Sequence, residues 1–174
     1  MHLSRESEYG LKAMIYLAQQ PPAKVLTLHQ IAEAKDLPVG FLAKTLQKLA
    51  RRGLLQSFRG RQRGYCLARE ASQIRLREVL EAIEGADLTE RCIFWGRRCG
   101  ETNPCVLHRG WREVKPHLTE FLETVTLGEL AKNRTSAYEP GEQIPETLPA
   151  EEPLVRDRYR LIPGNVDKRR KESP

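Results

Sequence analysis

The sequence predicts a mainly α-helical fold with one small β-hairpin wing: a winged helix-turn-helix followed by a long C-terminal dimerisation helix. Three observations carry that expectation. Residues 27–53 hold two short amphipathic helices around the turn Lys35-Asp36-Leu37-Pro38. Residues 54–58 and 65–68 then read as strands flanking the glycine-bounded basic loop Arg59-Gly60-Arg61-Gln62-Arg63-Gly64. Further on, Leu107, Trp111, Val114, Leu118, Phe121 and Val125 recur at intervals of 4, 3, 4, 3 and 4, the spacing of a coiled-coil seam.

Each element has a local reason. Ser4 can cap a first helix, with Glu6 and Glu8 in a first turn where the helix dipole favours anions. Leu11, Met14, Ile15 and Ala18 supply its apolar face, and Pro21-Pro22 stops it. Thr27-x-x-Gln30 is a capping box for a second helix that turns Leu28, Ile31 and Ala32 inward. Pro38 suits the first position of a third helix, which buries Leu42, Thr45, Leu46 and Leu49 and ends at Gly53. Its other side carries Gly40, Phe41, Lys44, Gln47 and Arg51, with Lys48 beside them. Leu76, Val79, Leu80 and Ile83 mark another helix, closed by Gly85. Pro116 should kink the seam helix, and Thr126-Leu127-Gly128-Glu129 offers a box for a last short one. The seam helix either packs on its own domain or pairs with a second copy. The second is favoured, because a helix-turn-helix normally meets DNA as a two-fold dimer.

Charge placement points to a partner. The net charge is +6 and the pI about 9.3. From Arg134 onward eight bases offset eight acids, so the whole excess lies in residues 1–133. Between Leu37 and Arg69 there is no acid, yet eight Lys/Arg occur (44, 48, 51, 52, 59, 61, 63 and 69). That is the footprint expected of contact with double-stranded nucleic acid. No apolar run approaches the roughly 18–20 residues of a membrane span, and the charged N-terminus does not resemble a signal segment, so a cytoplasmic protein is expected. In that compartment clustered thiols bind metal or sense redox more often than they form structural bridges.

The cluster is Cys92-x6-Cys99-x5-Cys105-x2-His108. An odd number of thiols cannot all pair internally. Structural zinc generally uses close cysteine pairs, absent here, whereas wide unequal gaps suit an iron–sulfur cluster. Zinc, or buried thiols without metal, remain alternatives. His108 falls about one helical turn past Cys105, where its ring can point back into the loop. Cys66, in the strand, reads as a small buried hydrophobe.

The succession LSRESEYGLKAMIYLA, TLHQIAEAKDLPVGFLAKTLQKLARRGLL, SFRGRQRGYCLA, IRLREVLEAIEG, the three-cysteine loop, HRGWREV and TLGEL resembles the IscR-like family of bacterial winged-helix regulators, the Rrf-two family, over about residues 1–133. The resemblance implies a homodimeric DNA-binding transcriptional regulator, a repressor by expectation. Its operator binding would be controlled by a 2Fe–2S or 4Fe–4S cluster sensing redox, iron–sulfur supply, nitric oxide or iron. By position it makes Cys92, Cys99 and Cys105 cluster ligands, with His108 as the fourth and Glu8 of the partner subunit as the alternative. It departs from the IscR-type members in a first cysteine gap one residue longer and in Ala43 where they carry a base-contacting glutamate, and from the usual wing tip in being more basic. The implied organisation is a DNA-binding domain over 1–85, a cluster loop over 86–108, the dimerisation and terminal helices over 109–133, and a disordered tail over 134–174. The wing arginines Arg59, Arg61 and Arg63 join the third helix in the DNA contact. Competing readings are a winged-helix regulator holding zinc or no metal, and an iron–sulfur enzyme or electron carrier; the latter lacks any nucleotide loop, Ser/His/Asp set or CxxC pair.

Overall fold

The structure is a computed structural model and describes residues 3–91, 100, 102 and 104–132. The expected tail over 134–174, and Cys92 and Cys99, lie outside the described residues.

Helix α1 spans Arg5–Ala18, α2 Leu28–Ala34 and α3 Val39–Arg51; strands β1 (Leu55–Phe58) and β2 (Gly64–Leu67) follow, then α4 (Leu76–Glu84), α5 (His108–Thr124) and α6 (Leu127–Lys132). The punctuation acts largely as its chemistry requires. The Ser4 hydroxyl accepts from the Ser7 N–H, and Thr27 and Gln30 close a reciprocal capping box on α2. Gly53 follows α3 at φ +72°, and Gly85 follows α4 at φ +109°. Pro38 stands one place earlier than expected: it is the N-cap of α3, and its carbonyl accepts from Phe41 and Leu42. Thr126 and Glu129 close a box at α6.

The strands pair antiparallel, with Leu55 opposite Leu67 and Phe58 opposite Gly64. A second partner holds β2 from its other side. Leu26 and Tyr65 exchange both backbone hydrogen bonds, at 3.0 and 2.8 Å. Gly64 is required there, because a Cβ on it would lie 2.5 Å from the Leu26 carbonyl oxygen.

The main core gathers Met14, Ile31, Leu42, Leu46, Leu49, Leu54, Ile74 and Val79 from α1–α4 and the connections between them. The buried line of α1 differs from the expected Leu11/Met14/Ile15/Ala18 face: Ser7, Gly10, Ala13, Met14 and Leu17 are buried, and the expected positions other than Met14 are only half-buried. The cause is close helix approach. A Cβ on Gly10 would fall 2.4 Å from Ile83 Cδ1 and 3.0 Å from Thr45 Cγ2, so small residues line the contact. A second cluster joins Leu76, Leu80 and Leu88 to Leu122 of α5, with Leu118, Phe121 and Val125 packed against it. Arg77 of α4 pairs with Glu81 of its own helix and with Glu123 of α5, tying the two helices together at that end.

Candidate nucleic-acid interface and cysteine site

Helix α3 presents its polar side as its apolar spacing dictates. Leu42, Thr45, Leu46 and Leu49 are fully buried, while Gly40, Phe41, Lys44, Gln47 and Arg51 are exposed. Phe41 rests edge-on against Tyr9 of α1, ring centroids 5.6 Å apart. On the wing, Arg59 and Arg63 are exposed on either side of a short 3-10 turn, Gly60–Gln62. Arg61 is in that turn; its side chain lies outside the described residues.

Between α3 and the wing runs a groove of about 820 Å3, lined by Gln47, Ala50 and Arg51 on one wall and Ser57, Phe58, Arg59, Arg63 and Tyr65 on the other. Thr27, Leu28 and His29 of the α2 start close one end. Among the described residues no Asp or Glu lines it. Thr27, the N-cap of α2, and His29 in its first turn join the groove wall, a placement that no local spacing signals.

The run without acids is not free of acids in space. Arg69 is ion-paired to Glu78 of α4 and donates to the Gln73 carbonyl, and Lys48 meets Glu6 of α1 at 2.7 Å. Among the described residues no carboxylate pairs with Lys44, Arg51, Arg59 or Arg63. The open cations therefore concentrate around the groove.

The first turn of α1 also anchors the end of α4. The Ser4 N–H, the Ser4 hydroxyl and the Ser7 hydroxyl all donate to one oxygen of Glu84, at 2.7, 2.6 and 2.6 Å. Burial pushes the Glu84 carboxyl up, but those hydrogen bonds and the charge of Arg91 outweigh it and hold it below its usual range. Burial pushes the Cys66 thiol up; Cys66, in β2 opposite Gln56, is 4% exposed and is in no disulfide.

Of the expected ligands, Cys105 and His108 are described, and both are half-buried at the entry to α5. Cys105 is in no disulfide, and its carbonyl accepts from the His108 N–H at 2.9 Å. One turn further, Trp111 is buried and its indole Nε1 has no hydrogen-bond partner among the described residues. A thiol, an imidazole and an unanswered N–H donor on consecutive turns fit a sulfur-rich group, whose sulfur atoms accept such donors. Glu8 is half-exposed on α1 and paired to Lys12 at 2.9 Å. Among the described residues no three ligating side chains converge.

The expected seam divides in two. Leu118, Phe121 and Val125, half-buried, pack against the α4 cluster of their own chain. Leu122, outside the expected spacing, is the most buried residue of α5 at 2% exposure. Leu107 and Val114 remain 43% and 54% exposed, with Val106 at 92% beside them.

A family model described as Rrf2, iron-dependent transcriptional regulator, matches residues 3–133. A putative HTH-type transcriptional regulator of Aquifex aeolicus is 31% identical over 132 residues, covering 75% of this chain and 91% of that protein. The HTH-type transcriptional regulator IscR of Escherichia coli is 33% identical over 134 residues, covering 77% and 82%. Among solved structures, CymR, the global cysteine regulator of B. subtilis, superposes with a TM-score of 0.64 at 26% identity, covering 75% of this chain and 96% of CymR. T. potens IscR gives 0.61 at 29%, covering 80% and 92%.

Proposed function

Because this chain belongs to the Rrf2 family of transcriptional regulators, we propose that it is a homodimeric repressor whose binding to operator DNA is set by an iron–sulfur cluster held in the loop before α5. A regulator of transcription, not an enzyme, is what its relatives are. One observation supports the DNA-binding half most directly: the acid-free groove between α3 and the wing, with Gln47 and Arg51 facing Arg59 and Arg63. Helix α3 fits a major groove, where Lys44 and Gln47 meet base edges, and the wing arginines meet phosphates or the minor groove. No helix among the described residues is long and apolar enough to cross a membrane.

For the sensing half, Cys92, Cys99 and Cys105 supply thiolates and His108 the fourth ligand, with Glu8 as the alternative. When bound, a cluster supplies a centre that reacts with oxidants, nitric oxide or iron shortage. The residues of this chain hold it and transmit its presence: Cys105 and His108 belong to the start of α5, and Trp111 offers its N–H on the same side. The likeness to CymR supports a second reading, a winged-helix regulator whose loop holds zinc or no metal.

Anaerobic purification followed by ultraviolet–visible spectroscopy and metal analysis tests this reading. Iron–sulfur absorption lost in Cys105→Ser, and weakened or shifted in potential in His108→Ala but intact in Glu8→Ala, is the expected result. A colourless zinc protein favours the second reading, and a bleached Glu8→Ala beside a normal His108→Ala makes Glu8 the ligand.

A further inference from the structure

Among the described residues, Lys48 is the one cation on the DNA-facing helix that a carboxylate holds. Its ammonium lies 2.7 Å from Glu6 Oε2, and Glu6 is the more enclosed partner, its side chain 21% exposed against 38% for Lys48. The other Glu6 oxygen lies 3.4 Å from the Thr45 hydroxyl. Glu6 itself is fixed in place. It sits between Ser4 and Ser7, whose hydroxyls both grip Glu84, and in the first turn of α1, where the helix dipole favours its charge. The acceptor is thus ordered before Lys48 arrives. A lysine pairing with it gives up its own freedom but requires no further ordering of the acid.

We infer that Glu6 is an affinity- and specificity-setting residue: it withholds Lys48 from the phosphate backbone and so lowers sequence-independent attraction to DNA. Each cation that neutralises a phosphate releases counterions, strengthens binding to any duplex alike and steepens its salt dependence. Base-edge contacts from Gln47 and its neighbours are untouched by the pairing, so a regulator with one phosphate contact fewer gives up affinity that carries no sequence information. The inference rests on the reading of α3 as a DNA-contacting helix.

The test is a salt titration of the full chain, by fluorescence anisotropy, on a labelled random-sequence duplex and on a duplex enriched by selection with the wild-type protein. Over about 0.05–0.3 M KCl, Glu6→Gln should steepen the slope of log affinity against log salt by about 0.9, one added phosphate contact. At 0.15 M salt it should tighten the random duplex roughly threefold to tenfold. Lys48→Ala alone should change the slope by less than about 0.3, and in the double variant the gain from Glu6→Gln should vanish. The Thr45 hydroxyl also reaches the Phe41 carbonyl at 3.2 Å, so it keeps a partner when Glu6 changes. Glu6→Ala, expected to match Glu6→Gln, guards against an effect peculiar to the amide. An unchanged slope in both Glu6 variants, a full unit lost in Lys48→Ala alone, or an equal gain with Lys48 absent overturns the inference while leaving the interface standing. A wild-type protein that binds neither duplex overturns the interface itself.

Discussion

Helix α3 brings Leu42, Thr45, Leu46 and Leu49 to zero exposure within 13 residues, whereas the 17-residue α5 buries only Trp111 and Leu122. Both are amphipathic. The difference lies in what each meets among the described residues: α3 packs against α1, α2, α4 and β1, while the apolar contacts of α5 with α4 run through Leu118, Phe121 and Leu122 in its C-terminal half. At its other end Leu107 and Val114, beside Val106, stay exposed. Amphipathic spacing therefore reports that a face will be covered, not by which chain.

Four measurements break or sharpen this contrast. The largest effect is expected in the saturated helix: Leu46→Ala should lower unfolding stability by about 2–5 kcal/mol in urea melts, through lost burial and a residual cavity. A loss below about 1 kcal/mol would mean that α3 is packed more loosely than its burial indicates. In the unsaturated helix, Val114→Asp should weaken self-association about a hundredfold, roughly 2.7 kcal/mol, by sedimentation, with helical content retained. It is a cleaner probe than Leu118→Asp, which would also disrupt the packing against α4. An unaltered dimer would remove Val114 from the interface.

On the open side of α3, Arg59→Ala should cost roughly 1–3 kcal/mol of operator binding by anisotropy, with the fold unchanged. Undiminished affinity would argue against the wing entering the complex. The smallest effect concerns the joint between α1 and α4. Glu84→Gln should cost about 1–2 kcal/mol near neutral pH, because three hydrogen bonds to a charged oxygen weaken. The folded carboxyl lies below its ordinary value of 4.5. Its contribution is therefore complete above that pH and is lost as pH falls through the lowered value. The gap between wild type and variant should accordingly close in acid, and a gap that stays constant to the lowest pH would contradict the assignment.

The helix-turn-helix was legible because its signals are local: the Thr27–Gln30 box, Pro38, Gly53 and an apolar period that α3 follows residue for residue. The face of α1 was not, since a hydrophobicity pattern gives no weight to Ser7 and Gly10, the residues that let α4 and α3 come close. The acid-free window was legible as composition, but its pairings were not. Glu6 lies 42 residues from Lys48, and Glu84 lies 80 from Ser4, distances at which no spacing rule operates. The spacing of the seam passed over Leu122, the most buried residue of α5, and could not say that α4 takes Phe121 while Val114 is left out.

The doubled backbone grip on β2 has a consequence for how this protein can be altered. With β1 on one edge and Leu26 on the other, the base of the wing is stitched to the start of α2. It cannot swing without breaking the stitch. Residues 59–63 lie beyond the pairing of Phe58 with Gly64 and take no part in either strand's backbone ladder. The tip is thus an interchangeable cartridge on a fixed mount. A graft of another regulator's tip between Phe58 and Gly64 should alter what the protein reads beside its main groove contact and leave the angle of α3 where it was.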